Sequence, residues 1–112
     1  MTDQENQKTK PTPTLTGKQA RYLRGLGHGL KPVVQVGKHG LGENLTHQVE
    51  ECLLAHELIK IKVLETSPNN RDEVAQALAE ATGGSIAQKV GRTILLYRAH
   101  PEDPWVKLPP AN

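Results

Sequence analysis

Residues 32–64 most restrict the folds open to this chain, because they join a valine run, a glycine-bounded loop, an amphipathic stretch and a second apolar run. Proline is allowed at the first position of a strand and valine favours extended backbone, so Pro32 to Val36 predicts a strand. Its near-continuous apolar character predicts that both faces are covered. From Leu41 to His56 apolar residues repeat at steps of three and four, which predicts a helix over about 43–56.

A second strand is predicted over 58–64, where isoleucine and valine alternate with Lys60 and Lys62. One face of this strand is therefore apolar and the other carries two cations. Two strands separated by a helix imply a right-handed crossover with the helix packed on a sheet.

Local capping signals predict two more helices. Thr16 and Gln19 match a capping box at the start of a helix over 16–27, whose inward face would hold Ala20, Leu23 and Leu26. The same signal, Asn70 followed by Glu73, begins a third helix, and Gly83 ends it; its inward face would hold Val74, Ala77, Leu78 and Ala81.

The final elements are two strands, over 85–90 and 93–98, with a turn at Gly91-Arg92. The complete order is αβαβαββ, so we expect a compact α/β domain with helices packed on a mixed sheet. Residues 1–14 are polar and predict a flexible tail. The proline-rich residues 99–112 form a second predicted tail, in which Trp105 would anchor the segment to the domain rather than stack on a base.

Composition excludes several classes of protein and of binding site. The chain has no Phe, two Tyr and one Trp, which argues against RNA binding by stacking on an aromatic sheet. Its single cysteine, Cys52, predicts a small buried side chain and excludes an internal disulfide framework and a cysteine-based zinc site. The histidines show no metal-ligand spacing, and His56 is predicted to be packed. We expect no membrane span, no secretory or transit peptide, and a cytoplasmic protein.

The charges are segregated along the chain although the net charge is only +2. Residues 6–42 contain seven Lys and Arg and no acid, whereas residues 43–80 contain eight acids against three bases. Residues 81–101 contain Lys89, Arg92 and Arg98, again without an acid. This pattern predicts a field with a positive end that attracts polyanions, although chance clustering on a solvated surface would give the same count. On the first helix, Lys18, Arg21 and Arg24 fall opposite the apolar face.

The loop Gly37-Lys38-His39-Gly40 is the most informative motif. It leaves a strand and leads to a helix, and its glycines let the backbone turn tightly and approach a ligand. Free N–H groups at the helix start, together with Lys38, would favour an anion, as in the GxxG loops by which KH domains hold nucleic-acid backbone. A plain tight turn is the alternative interpretation of a GxxG. Neither a P-loop nor a dinucleotide fingerprint is present.

Three separated blocks, Leu30 to Leu41, His56 to Val63 and Gly91 to Arg98, resemble the CRM domain, a family named for chloroplast RNA splicing and ribosome maturation. Residues 15–98 resemble its stand-alone bacterial YhbY-type form. The resemblance implies a four-stranded mixed sheet similar to the C-terminal domain of bacterial translation initiation factor three. It also implies RNA binding through the loop at Gly37 to Gly40. Gly42 departs from the family pattern, since Ser or Thr is expected to cap the second helix.

Three hypotheses follow. The first is a non-catalytic protein that binds structured ribosomal RNA in the precursor of the large ribosomal subunit, without cofactor, metal or membrane. Its predicted RNA-binding residues are Gly37, Lys38, His39, Gly40, Lys18, Arg21, Arg24, Lys31 and His28, although His28 could equally be an ordinary loop residue. The second is an enzyme acting on a small phosphorylated ligand at the same loop. The third is an interaction module that docks a ribosomal protein through the acidic outer face of helix two.

Overall fold

The structure, a computed structural model, describes residues 14–111. The predicted element order αβαβαββ is confirmed. Residues 1–13 of the predicted N-terminal tail lie outside the described part of the chain. The elements are α1 (Gly17–Gly27), β1 (Pro32–Val36), α2 (Glu43–His56), β2 (Leu58–Val63), α3 (Arg71–Thr82), β3 (Ser85–Val90) and β4 (Thr93–Tyr97).

The four strands form one mixed sheet, also as predicted, in the order β1-β2-β4-β3. β1 pairs with β2 in parallel, whereas β2 with β4 and β4 with β3 are antiparallel. The parallel pair is joined through α2, as the strand–helix–strand pattern requires. β2 and β4 are therefore central, and β1 lies at an edge.

Helices cover both faces of the sheet. α2 and α3 pack on one face over the larger apolar cluster, which contains Ile59 and Ile61 of β2. α1 packs on the other face over a smaller cluster that contains Leu23, Leu58 and Leu95. Because side chains alternate along a strand, Lys60 and Lys62 lie on the same face as Leu58, the α1 side of the sheet.

The predicted caps of α1 and α3 are confirmed. Thr16 and Asn70 each accept a hydrogen bond from the backbone N–H three residues on, and the side chains of Gln19 and Glu73 accept one in return. α3 ends at Gly83 as predicted. α2 has Gly42 as its N-cap and therefore no side-chain cap hydrogen bond.

The predicted inward face of α1 is wrong at Leu26, whose side chain is 45% exposed. Gly27 is buried in its place, and a Cβ at Gly27 would lie 2.7 Å from Leu95 Cδ1. A side chain at position 27 would require Leu95 to shift, so the end of α1 packs closely on the sheet through Gly27, and Leu26 faces solvent. On α3, Val74 and Leu78 are buried as predicted, but Ala77 and Ala81 are half-buried because Ala75 and Ala79 face the sheet instead.

The prediction that β1 is covered on both faces is also wrong. Val34 and Val36 are buried under α2, but Val33 and Gln35 are exposed on the α1 side. α1 packs chiefly against β2, β3 and β4 and leaves this edge strand uncovered. The open face of β1 is thus a surface rather than core.

Candidate nucleic-acid interface

The loop over residues 37–40 is a tight turn braced by the segment between β2 and α3. The Gly40 N–H donates to the Gly37 carbonyl at 2.9 Å, and the Leu41 N–H donates to Asn69 Oδ1 at 3.2 Å. Gly40 has a φ of +62°, and a Cβ there would lie 2.6 Å from Asn69 Oδ1 and 2.7 Å from Pro68 Cγ. Both the backbone conformation and the close contact therefore require glycine at position 40.

Gly37 differs from Gly40 because the fold does not require it. Among the described residues, a Cβ at Gly37 would meet only Leu64 Cδ1 and Thr66 Oγ1, both at 3.8 Å, which is ordinary van der Waals contact. An added methyl group there can be accommodated without rearrangement of the loop. Any need for glycine at this position must come from what approaches the loop.

We expect Gly40→Ala to lower the free energy of unfolding by about 1–2 kcal/mol, because a side chain is strained at this φ. The clash with Asn69 and Pro68 adds to this loss. Gly37→Ala is the matched control in the same loop and should leave the urea midpoint close to that of the wild type. Equal destabilisation by the two substitutions would contradict the contrast between the two glycines.

The loop and the start of α2 leave several backbone donors free. The N–H groups of Lys38 and His39, and those of Glu43, Asn44 and Leu45 at the start of α2, make no hydrogen bond within the described residues. His39 and the start of α2 line a cleft of about 340 Å³. A helix N-terminus with unused N–H groups favours an anion such as phosphate, although the exposed carboxylate of Glu43 lies in the same first turn. The Lys38 side chain is exposed beside this cleft.

The cations of α1 are accessible. Lys18 and Arg21 are exposed and Arg24 is half-buried on the side turned away from the sheet. None of the three forms an ion pair within residues 14–111. His28, the C-cap of α1, and Lys31, just before β1, are exposed as well.

The predicted RNA-binding residues form a band rather than one cluster. Lys31 and Lys38 lie at opposite ends of β1, which at about 3.3 Å per residue places them about 20 Å apart. Lys60 and Lys62 lie on the α1 side of the sheet because side chains alternate along β2. They share a groove of about 330 Å³ with Lys31. We use the name band for the cations of α1 together with Lys31, Lys60, Lys62 and Lys38. A set of cations spread over about 20 Å matches several consecutive phosphates better than one small anion.

The charge pattern of residues 81–101 does not produce a second positive surface. Lys89 Nζ lies 3.2 Å from Asp72 Oδ1, and Arg92 Nη2 lies 3.5 Å from Glu65 Oε2. Arg98 Nη1 lies 2.7 Å from Glu50 Oε1 and also donates to the Thr82 carbonyl at 2.8 Å. Each of these three cations is thus paired with an acid of the middle segment, although Asp72 also pairs with Arg71. Glu50 is therefore not part of a free acidic face on α2.

Glu57 is the structural residue that sequence reasoning missed. It follows α2 with a φ of 63° and is fully buried. Its carboxylate accepts hydrogen bonds from the backbone N–H groups of His100 at 2.6 Å, Trp105 at 3.1 Å and Val106 at 2.8 Å. These bonds hold the C-terminal segment on the domain. A glutamate between a helix and a strand offers no local signal for such a role.

Burial alone raises the pKa of the Glu57 carboxyl, but the hydrogen bonds from His100, Val106 and Trp105 outweigh it. The pKa of Glu57 therefore lies below its ordinary value. The carboxylate stays ionised because backbone donors replace the water that it loses.

We expect the wild type to lose stability as the pH falls from 7 to about 3 more steeply than Glu57→Gln. A folded-state pKa below the unfolded value of about 4.3 gives stabilisation that is present above that value and is lost as the pH falls through the folded pKa. Asp72, whose pKa is lowered by Lys89 and Arg71, titrates in both proteins and cancels in the comparison. Urea unfolding at a series of pH values measures the difference, and parallel profiles would contradict it.

The described residues contain no group of three or more His, Cys, Asp or Glu side chains placed to hold a metal ion. The prediction that His56 is packed is wrong, because it is exposed at the last turn of α2. Cys52 is only half-buried against the larger core cluster. Between residues 14 and 111, no helix is both long and apolar enough to cross a membrane.

Comparison with known proteins identifies the family of this fold and loop. The model of the CRS1/YhbY (CRM) domain matches residues 15–98, and the chain belongs to that family. It is 42% identical over 95 residues to the "Probable RNA-binding protein YqeI" of Bacillus subtilis, covering 85% of this chain and 99% of that protein. It is 36% identical over 96 residues to an "RNA-binding protein" of Haemophilus influenzae, covering 86% and 96% of the two chains.

The fold is also similar to a known solution structure. The hypothetical protein SAV1595 from Staphylococcus aureus is 42% identical, with a TM-score of 0.70, over 86% of this chain and all of that one. The resemblance of residues 15–98 to the CRM family, inferred from three blocks of sequence, is thereby confirmed.

Proposed function

We propose that this protein is a non-catalytic RNA-binding protein that holds the backbone of structured RNA along the band from α1 to the loop over residues 37–40. Lys38, His39 and the free N–H groups beside them bind phosphates at one end. Lys18, Arg21, Arg24 and Lys31 extend the contact, with His28 at the end of α1. Two relatives that the chain covers almost completely are named as RNA-binding proteins, which supports this proposal.

One observation carries the proposal: within the part of the chain that the structure describes, the cations of the band form no ion pair, whereas those of residues 81–101 are paired with acids. Unpaired cations along an extended surface release the counterions of a polyanion when they bind it. Ribosomal RNA in the precursor of the large subunit is the proposed partner. We place this action in the cytoplasm, without cofactor or membrane.

Lys38→Ala tests the assignment of the loop. We expect the variant to bind structured RNA about five- to eightfold more weakly at ~0.1 M salt and to reduce the slope of log K against log salt by about one unit. Its effect should be similar across RNA sequences, because phosphate contacts position a protein without reading bases. If the affinity of Lys38→Ala equals that of the wild type, Lys38 does not contact the RNA and the site assignment is wrong.

Gly37→Ala is a second and independent test of whether RNA contacts the loop. Because the fold tolerates a methyl group at this position, weaker binding by a stable Gly37→Ala protein would mean that RNA approaches the backbone there. If Gly37→Ala and Lys38→Ala both bind RNA as tightly as the wild type does, the loop is not part of the interface.

A further inference from the structure

A second feature of the α1 side is an apolar groove that the backbone-binding proposal does not use. Its volume is about 450 Å³, within the range of sites that hold small organic ligands. Leu26, Leu30 and Val33 line it, and all three are exposed large hydrophobic residues. Trp105, whose side chain is 56% exposed, also lines it. His56, Leu58, Ile59 and Val106 complete the wall.

The prediction that the Trp105 side chain anchors the tail by packing is wrong, because the segment is held through the Trp105 backbone and the ring is more than half exposed. Its N–H and that of Val106 donate to the buried Glu57 carboxylate. The side chains of Val106 and Leu108 pack on the smaller core cluster, and Gln19 Nε2 donates to the Pro109 carbonyl at 3.0 Å. The segment is thus fixed on both sides of Trp105, and the indole is free to contact a ligand.

The rim of the groove is cationic. Lys31 and Lys60 line it, and both belong to the band described above. Among residues 14–111 no acid lines it: the Glu57 carboxylate is fully buried and accepts hydrogen bonds from three backbone N–H groups, and Glu102 and Asp103 lie on the turn before Trp105 outside the lining. An exposed aromatic ring and apolar walls beside two unpaired lysines match the two parts of a nucleotide, a flat base and an anionic phosphate.

We propose that this groove binds one unpaired nucleotide of the RNA, with its base stacked on the Trp105 indole and its phosphate held by Lys31 and Lys60. The inference rests on the proposed function and adds to it a preference for RNA with an unpaired base next to a paired segment. A purely backbone-binding band would not distinguish such an RNA from a perfect duplex. The occupant is RNA rather than an acidic apolar peptide because the rim lysines continue directly into the band.

The test uses the full chain and two RNA hairpins of equal length, one fully paired and one with a single bulged nucleotide. Trp105 is the only tryptophan, so stacking of a base on it should quench the protein's fluorescence. We expect quenching and tighter binding with the bulged hairpin only. Trp105→Ala should bind the bulged hairpin about 5- to 150-fold more weakly than the wild type does, so that the preference is lost. Its affinity for the paired hairpin should stay unchanged. Trp105→Phe keeps a stacking ring and should retain most of the preference.

Salt-dependent binding of both hairpins with equal affinity and no quenching would overturn this inference and leave the proposed function standing. Binding of neither hairpin would overturn both. Quenching by an acidic, leucine-containing peptide that the bulged hairpin fails to displace would also overturn it, by showing that the groove takes a protein segment.

Discussion

Glu57→Ala is expected to lower the free energy of unfolding by about 2–4 kcal/mol, because it leaves three backbone N–H groups without their acceptor. The lost bonds are charge-assisted, and such bonds are stronger than neutral ones. The segment from His100 to Val106 would separate from the domain to let water reach these donors. Urea unfolding followed by circular dichroism measures the loss, and faster proteolysis after Arg98 would show where the chain has opened.

Glu65→Ala is the matched control for this prediction. Glu65 is also a carboxylate close to a strand end, but its side chain is exposed and its partner Arg92 lies 3.5 Å away. An exposed pair of this kind adds little stability, so the urea midpoint should not move. A shift for Glu57→Ala no larger than that for Glu65→Ala would show that the buried carboxylate does not hold the C-terminal segment.

The elements of this fold could be predicted wherever the signal is local. Thr16 with Gln19, and Asn70 with Glu73, lie three residues apart, and such short pairs set a helix start whatever the rest of the chain does. The apolar repeat of α2 and the glycine-bounded loop likewise depend on neighbours in sequence. For the same reason the exposed cations of α1 could be identified before the structure was known.

Features that depend on distant partners could not be predicted in this way. Glu57 contacts His100 and Trp105, 43 and 48 residues away, and Arg98 contacts Glu50 at a separation of 48. Nothing near Arg98 in the sequence shows that its charge is neutralised. The edge position of β1 follows from which strands pair, so its valine run gave the wrong expectation of burial on both faces.

Replacing Lys18, Arg21 and Arg24 together by alanine is expected to weaken RNA binding on the order of 100-fold at ~0.1 M salt. Each phosphate contact contributes about 0.7–0.9 units to the slope of log K against log salt, so three contacts contribute about two to three. The side chains are wholly or partly exposed and form no ion pair within residues 14–111, and alanine favours helix, so α1 should remain folded. Binding to a labelled structured RNA across a salt series measures both the affinity and the slope.

The matched control for the triple variant is the double variant Lys89→Ala and Arg92→Ala. It removes two positive charges that are already paired with Asp72 and Glu65, so the RNA affinity should change far less. If both variants lose affinity in proportion to the charge removed, the attraction is a property of the net charge and not of the band.

The band of cations from α1 to Lys38 is proposed to bind RNA backbone. The most direct test is the slope of log K against log salt for the wild-type protein with a structured RNA. The five Lys and Arg side chains of the band that the proposed function assigns to phosphates, Lys18, Arg21, Arg24, Lys31 and Lys38, predict a slope magnitude of about 3.5–4.5. A slope near zero, or no binding at low salt, would contradict the claim.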